Sequence, residues 1–309
     1  MIPYLLFYKI VQLFIFMLLG FLIVKLKLLK SEDAAVLSKI SIYILMPAAI
    51  ISAYDVEVTE AISSGLVLAF GAAFLIHLLL LLVDLIYKKT LRPSGAERAS
   101  AVYSNAGNII IPLVSFILGS EWIIYTTAFL SVQLLFLFTH GERLFKEDKS
   151  ISIKKIILNP NILAIAAGLI MILSSLRLPS IVGEVADALG SMVGTVGMLI
   201  AGMAMASVDF GAVFKTKGVY ICSAVRMLVC PLLVFVLLKG ILALPFLSIE
   251  NAESILLISY LAAMTPAAAT ITQFSKLYKS GEDISVSINA LTTLLGILTM
   301  PLFVMLFQL

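Results

Sequence analysis

The chain has 309 residues, of which 61% are hydrophobic and 13% are charged, and its mean hydropathy is +1.14. These values exclude an ordinary soluble domain and are typical of an integral membrane protein. The formal net charge of +3 does not indicate a nucleic-acid partner, because the basic residues follow the loops of a membrane protein and would face lipid headgroups.

Ten apolar runs follow one another along the chain. Each is close to the length of about 20 residues that a helix needs to cross a bilayer, and together they leave no room for a soluble domain. The sequence therefore predicts an all-α integral membrane protein with ten transmembrane helices. The runs lie at residues 4–24, 38–54, 62–86, 99–118, 122–140, 160–176, 188–207, 218–238, 253–273 and 284–307.

Most basic residues lie in every second gap between these runs. The first, third, fifth, seventh and ninth gaps hold 17 of the 21 Lys and Arg residues, counting Lys39 at the edge of the second run. Cytoplasmic loops retain Lys and Arg because their translocation is unfavourable. The alternation predicts a multi-pass protein of the cell membrane with both termini outside the cytoplasm. The first run lacks a basic region before it and a cleavage site after it, so we expect a permanent span.

A polar stretch at residues 141–155 divides the runs into five and five. An odd number of spans in each half means that the second half crosses the membrane in the opposite sense, which is typical of inverted-repeat transporters. We expect a first five-helix repeat at residues 1–146, a cytoplasmic linker at 147–157 and a second, inverted repeat at 158–309.

A proline lies inside the fourth run of each half, and the two, Pro112 and Pro266, are 154 residues apart. Matched prolines predict broken fourth and ninth helices that cross near the bilayer centre. Each break would expose a helix N-terminus, whose free N–H groups attract anions. A simple kink at each proline is the alternative. The prolines and the uncharged polar residues beside them form a predicted substrate site: Asn105, Asn108, Pro112, Thr265, Pro266 and Thr270.

Arg226 lies nine residues beyond Lys217 in the eighth run, at a depth of about 13 Å. A charge at that depth is costly and must face the protein interior or a wet cavity. Two roles stay open from the sequence. Arg226 could be the counter-charge of an anionic substrate, or it could bond to helix-end carbonyls or to a carboxylate of another span.

Three further polar residues lie within or at the ends of apolar runs. Asp84 precedes Lys88 by four residues, which favours an ion pair on one helix face, with a proton relay as the alternative. We expect His77 to be a neutral packing residue, with protonation during a transport cycle as the alternative. His140 is expected at the membrane interface.

Small residues in the seventh and eighth runs favour packing roles. Glycines in transmembrane helices allow close approach of neighbouring helices, and this is the role we expect for Gly194, Gly197 and Gly202. Cys222 and Cys230 lie in one run without a CxxC motif, so we expect buried packing residues.

Four motifs resemble those of the auxin efflux carrier family of membrane transporters. They are residues 39–50 (KISIYILMPAAI), residues 104–113 (SNAGNIIIPL), residues 159–161 (NPN) and residues 197–203 (GMLIAGM). The resemblance implies inverted repeats with crossing fourth and ninth helices, a fold related to bile acid:sodium symporters, and a scaffold with a transport domain. It also implies export or exchange of a small organic anion, such as an auxin-like acid, malate or malonate.

The resemblance adds one residue to the predicted site. It implies that Asn161 lines the substrate path. From the residues alone, Asn161 only follows a helix start, with Asn159 as the cap and Pro160 near the first helical position.

The sequence contains no enzyme, nucleotide-binding or metal-binding motif, so we expect no catalytic residue, cofactor or metal. The leading hypothesis is a secondary carrier of a small organic anion that works by alternating access and uses the proton gradient. A sodium-coupled organic-anion symporter of the same architecture is the alternative, followed by a membrane channel or sensor. The expected partners are the anion, a coupling proton or sodium ion and the lipid bilayer, and a homodimer stays open.

Overall fold

The computed structural model describes residues 2–146, 153–207, 211, 216–244 and 249–309. The chain is 83% helix, and the described residues form no strand, which confirms the all-α class. Most of the predicted linker, residues 147–152, lies outside the described residues. The helices, numbered in chain order, are α1 Ile2–Lys25, α2 Ser31–Ala53, α3 Glu60–Leu91, α4 Gly95–Val102, α5 Ala106–Ile117, α6 Ser120–Gly141, α7 Ile153–Ile157, α8 Pro160–Ser174, α9 Ser180–Met205, α10 Lys217–Leu242, α11 Ala252–Ala263, α12 Ala269–Leu277 and α13 Glu282–Phe307.

Seven of the described helices are long and apolar enough to cross a membrane, namely α1, α2, α3, α6, α9, α10 and α13. Three shorter apolar helices, α5, α8 and α11, lie in the fourth, sixth and ninth predicted runs. The fourth and ninth runs are each divided into two helices, α4 with α5 and α11 with α12. Large apolar side chains such as Val67, Leu173 and Ile181 are exposed on the outer faces, as expected where helices contact lipid.

Helices from both halves of the chain pack together in two groups. In the first, which we call the four-helix group, α1 and α2 contact α9, and α2 also contacts α8. In the second, α3 to α6 contact α10 to α13. The groups meet where α5 lies against α1 and α9 and where α13 lies against α1. The divided helices α4–α5 and α11–α12 therefore belong to the second group, and α5 faces the first.

Glycines allow α1 and α9 to approach closely. A Cβ atom at Gly202 would collide with the backbone carbonyl of Met17, and a Cβ atom at Gly20 would collide with the carbonyl of Leu199. The two helices thus touch backbone to backbone at two levels, as small residues permit in membrane helices.

The same face of α9 receives α5. The ring of Pro112 lies where a side chain at Gly194 would be, and the side chain of Asn108 would be 3.0 Å from a Cβ atom at Gly197. The close packing that the sequence predicts at Gly194, Gly197 and Gly202 is confirmed.

Asp84 does not pair with Lys88, so that prediction is wrong. The buried carboxylate accepts two hydrogen bonds from Arg98 on α4, at 2.9 and 2.5 Å, and His140 lies 3.4 Å from one of its oxygens. The planar guanidinium matches both carboxylate oxygens, whereas Lys88 is exposed on the next turn.

His77 is a packing residue, as predicted. Its ring is buried, its Nδ1 lies 2.7 Å from the carbonyl of Ala73, and it stacks against Phe136 and packs at a tilt against Phe129.

Candidate functional site

The two divided helices meet at their breaks, residues 103–105 and 264–268, which we call the crossing. Ser104 and Ala267 form an isolated antiparallel bridge. Two backbone hydrogen bonds hold it: the N–H of Asn105 donates to the carbonyl of Pro266 (2.8 Å), and the N–H of Ala268 donates to the carbonyl of Tyr103 (3.0 Å). The predicted interruptions of the fourth and ninth apolar runs are confirmed, and the two interruptions meet.

The first break is not at its proline, and this part of the prediction is wrong. Pro266 lies within the second break, but Pro112 lies inside α5, seven residues beyond the end of the first break at Asn105. Proline removes one backbone donor, and α5 continues past that loss because it is packed against α9. The bridged residues are 163 positions apart, not the 154 that the prolines indicate.

Side chains from α6 and α13 hold the two breaks open. The amide of Gln133 accepts from the N–H and hydroxyl of Ser104 (3.3 and 2.5 Å) and donates to its carbonyl (2.9 Å). At the other break, Asn289 donates to the carbonyl of Ala267 (2.6 Å), and Thr292 accepts from its N–H (3.1 Å). These bonds satisfy backbone groups that would otherwise be buried without partners.

Sequence analysis missed Gln133, Asn289 and Thr292, which we call the clamping residues because they hydrogen-bond to the backbone of the two breaks. The signal was present, since Gln133, Asn289 and Thr292 are polar side chains inside the apolar runs 122–140 and 284–307. Their partners could not be predicted, because they are backbone groups elsewhere in the chain.

Arg226, on α10, contacts the crossing and is fully buried. Its guanidinium donates to the carbonyls of Val102 (3.0 Å), Ala101 (3.4 Å) and Thr265 (2.8 and 3.1 Å), and also to that of Ala263. The carbonyls of Ala101, Val102 and Ala263 belong to the ends of α4 and α11, where a helix carries partial negative charge, and the carbonyl of Thr265 lies in the second break. Of the two roles open from the sequence, the structure shows the bond to helix-end carbonyls.

A small cavity of about 80 Å³, which we call the crossing cavity, lies on the other side of the crossing. The N-terminal ends of α5 and α12 both border it, and a helix N-terminus carries partial positive charge. The described side chains around it include amides and hydroxyls but no charged group. Its polar lining consists of Ser38, Ser41, Ser104, Asn105, Asn108, Gln133, Thr270 and Gln273.

Three of the eight predicted site residues line the crossing cavity. Asn105 is nearly buried, and its side-chain oxygen accepts from the amide of Asn108 (3.0 Å). Thr270, in the first turn of α12, faces the same space.

The other predicted residues lie elsewhere. Thr265 is fully buried, and its hydroxyl donates to the carbonyl of Ala262 (3.0 Å). Pro266 borders a separate apolar pocket of about 30 Å³. Asn161 is buried beside the cap Asn159 and borders none of the described cavities, although its side-chain oxygen has no hydrogen-bond partner among the described residues. Fewer of the predicted residues therefore line the crossing cavity than the sequence suggested.

Pro112 borders a wider cavity of about 730 Å³, lined by the later turns of α2 and α5. Earlier turns of the same two helices line the crossing cavity, so the two spaces lie at successive levels along them. Three carboxylates and one amine line the wide cavity: Asp55, Glu121, Asp187 and Lys9. Asp55 also binds Arg177 (2.7 Å), which ties the loop after α2 to the loop after α8.

Several membrane-crossing helices and two divided helices, joined by a hydrogen-bonded crossing that borders a polar cavity, define a multi-pass membrane protein of the transporter class. Comparison with protein families agrees. A family model described as membrane transport protein matches residues 5–150 and 149–304. The chain belongs to this family, the auxin efflux carrier family of membrane transport proteins. A comparison with curated proteins gave no match.

Proposed function

We propose that the protein is a secondary active transporter that exports or exchanges a small organic anion, such as an auxin-like acid, malate or malonate. The observation that carries the proposal is the convergence of two helix N-termini on one uncharged polar cavity. Helix N-termini stabilise anions through free N–H groups and partial positive charge. A carboxylate fits that chemistry, and the amides of Asn105 and Asn108 can add donors without adding a permanent charge.

The positions of the two cavities support alternating access. The crossing cavity, which the breaks themselves line, and the wide cavity lie at successive levels along α2 and α5. If the second helix group moves against the four-helix group, the N-termini that border the anion site move with it. The four-helix group would then be the scaffold and the second group the transport domain, with the proton gradient as the driving force.

Ten spans in two inverted repeats of five complete the proposal. The seven long helices, α8 and the two divided helices account for all ten apolar runs. The alternation of basic loops supports a position in the cell membrane with both termini outside the cytoplasm.

Transport assays on purified protein in proteoliposomes test the function. We expect saturable uptake of a monocarboxylate or dicarboxylate that responds to an imposed pH gradient. Dependence on sodium at fixed pH would replace proton coupling with sodium coupling, and an ohmic conductance would point to a channel. Failure to bind or move any carboxylate would contradict the proposal.

Reporter fusions test the membrane topology. Fusions after Lys149, which lies outside the described residues, and after Lys279 should report the cytoplasm, because both residues lie in basic gaps. Fusions near Tyr54, Ser120 and Glu250 should report the exterior. A cytoplasmic C-terminus would be incompatible with ten spans and with the inverted repeat.

Two substitutions test the anion site. We expect Thr270→Val to weaken carboxylate binding by about 1.5–3 kcal/mol, at least about tenfold in Kd, because it removes a hydroxyl that borders the crossing cavity. We expect a similar loss for Asn108→Ala. Calorimetric titration of the purified variants with the transported carboxylate measures the effect.

Thr265→Val is the matched control, because its hydroxyl is sealed against the carbonyl of Ala262 away from the cavity. It should leave the Kd unchanged. Equal affinities for the Thr270 and Thr265 variants would show that the anion does not dock at the N-terminus of α12.

A further inference from the structure

Arg226 carries a positive charge at a place where many transporters bind an exchangeable cation. In secondary transporters, unwound carbonyls and the C-terminal ends of half-helices commonly coordinate sodium or exchange a proton. Here the carbonyls at the ends of α4 and α11 converge on the guanidinium. We propose that Arg226 is the resident cation of the crossing, a positioning residue that occupies the place of a coupling ion at these carbonyls.

The charges at this point balance. Each helix C-terminus carries a partial charge of about −0.5, so the two ends together offset about one positive charge. An arginine stays protonated under all physiological conditions. Arg226 forms no ion pair with a carboxylate in the described part of the chain, so the helix ends are its counter-charge.

The local structure of α10 is adapted to this contact. Arg226 lies in a wide, π-helical turn at Val225–Val229, a feature often found at functional sites. Cys222 and Cys230, one turn before and after it, direct their thiols at the carbonyls of Glu97 and Ala101. One face of α10 is therefore lined with donors that match the carbonyls of α4, and Arg226 extends this match across the break to α11.

The consequence concerns coupling. While the guanidinium occupies these carbonyls, a sodium ion cannot bind them, and the charge at the crossing does not change during the cycle. A coupling ion, where one is used, must bind elsewhere. This last step rests on the proposed transport function, whereas the role of Arg226 in holding the crossing does not.

Chemical rescue tests the proposal. Arg226→Gly removes the cation and leaves a space of its shape, so its midpoint of thermal unfolding should fall by about 10 °C. Millimolar guanidinium chloride should raise that midpoint, and choline chloride at equal ionic strength should not. The unmodified protein should show no such response. Uptake by the variant, measured in proteoliposomes, should likewise become dependent on guanidinium.

A second pair of variants decides the matter if Arg226→Gly does not fold. Arg226→Lys keeps the charge with fewer donors, and Arg226→Gln keeps a donor without the charge. If the helix ends need a cation, the lysine variant unfolds at the higher temperature. A glutamine variant equal to or more stable than the lysine variant would overturn the proposal, as would a glycine variant with unchanged stability.

The stability measurements need no substrate, so they separate the two proposals. Guanidinium rescue of folding in a protein that moves no carboxylate would uphold the resident cation and refute the transport function. Carboxylate uptake, together with stability that does not depend on a positive charge at Arg226, would uphold the transport function and refute the resident cation.

Discussion

Gly202→Ala is expected to destabilise the protein by about 3 kcal/mol, the upper part of the range for overpacked sites. The added methyl group would collide with the backbone carbonyl of Met17 on α1, and a backbone atom cannot rotate away as a side chain can. Either α1 or α9 must move, and both helices belong to the four-helix group against which α5 is packed. The loss of stability would be measured as a lower midpoint of thermal unfolding of the purified protein.

Gly71→Ala is the matched control for this substitution. Gly71 lies inside α3, and no atom lies within 4 Å of a Cβ atom built there. Alanine is the better helix former by up to about 1 kcal/mol, so this variant should be as stable as the parent or slightly more stable. Equal midpoints for the two variants would show that α1 and α9 are not in backbone contact at Gly202.

The helical class and the apolar runs could be predicted because hydropathy depends only on local composition. Every long helix lies over a predicted run, and errors are confined to the ends. The third run, predicted at residues 62–86, belongs to a helix that extends over Glu60–Leu91. Its last turns carry Lys88 and Lys89, which a hydropathy pattern reads as a loop although the helix continues through them.

The position of the first break could not be predicted from its proline. Pro112 removes one hydrogen bond but leaves α5 helical, whereas the actual break at residues 103–105 contains no proline at all. The break persists because Gln133, 29 positions along the chain, satisfies the backbone of Ser104. A contact of that kind carries no local sequence signal, so matching the prolines did not identify the residues that pair at the crossing.

Arg226 shows a different limit of prediction from sequence. Its depth alone predicted that it faces the protein interior, which is correct, but its partners are backbone carbonyls. Every residue has a carbonyl, so no residue type marks the partner in the sequence. The prediction of Asp84 failed for the related reason that the nearest cation in sequence, Lys88, is not the one with matching geometry, Arg98.

Gln133→Leu is expected to lower both stability and transport, because it removes the side chain that holds the first break open. The N–H and carbonyl of Ser104 would lose their partners while buried, and each such group costs about 1–3 kcal/mol. Water entering from the crossing cavity would offset part of that cost, so we expect a net loss of about 2 kcal/mol and a larger relative loss of transport.

Gln273→Leu is the comparison variant that isolates the effect of the hydrogen bonds between Gln133 and Ser104. Gln273 borders the same cavity, but its side chain makes no hydrogen bond within the described part of the chain. Both variants make the cavity less polar by one amide, and only the variant at Gln133 releases the backbone of Ser104. The midpoint of thermal unfolding and the rate of carboxylate uptake should therefore fall more for Gln133→Leu than for Gln273→Leu. If the two variants lose stability and uptake equally, the polarity of the cavity matters and the clamp on the break does not.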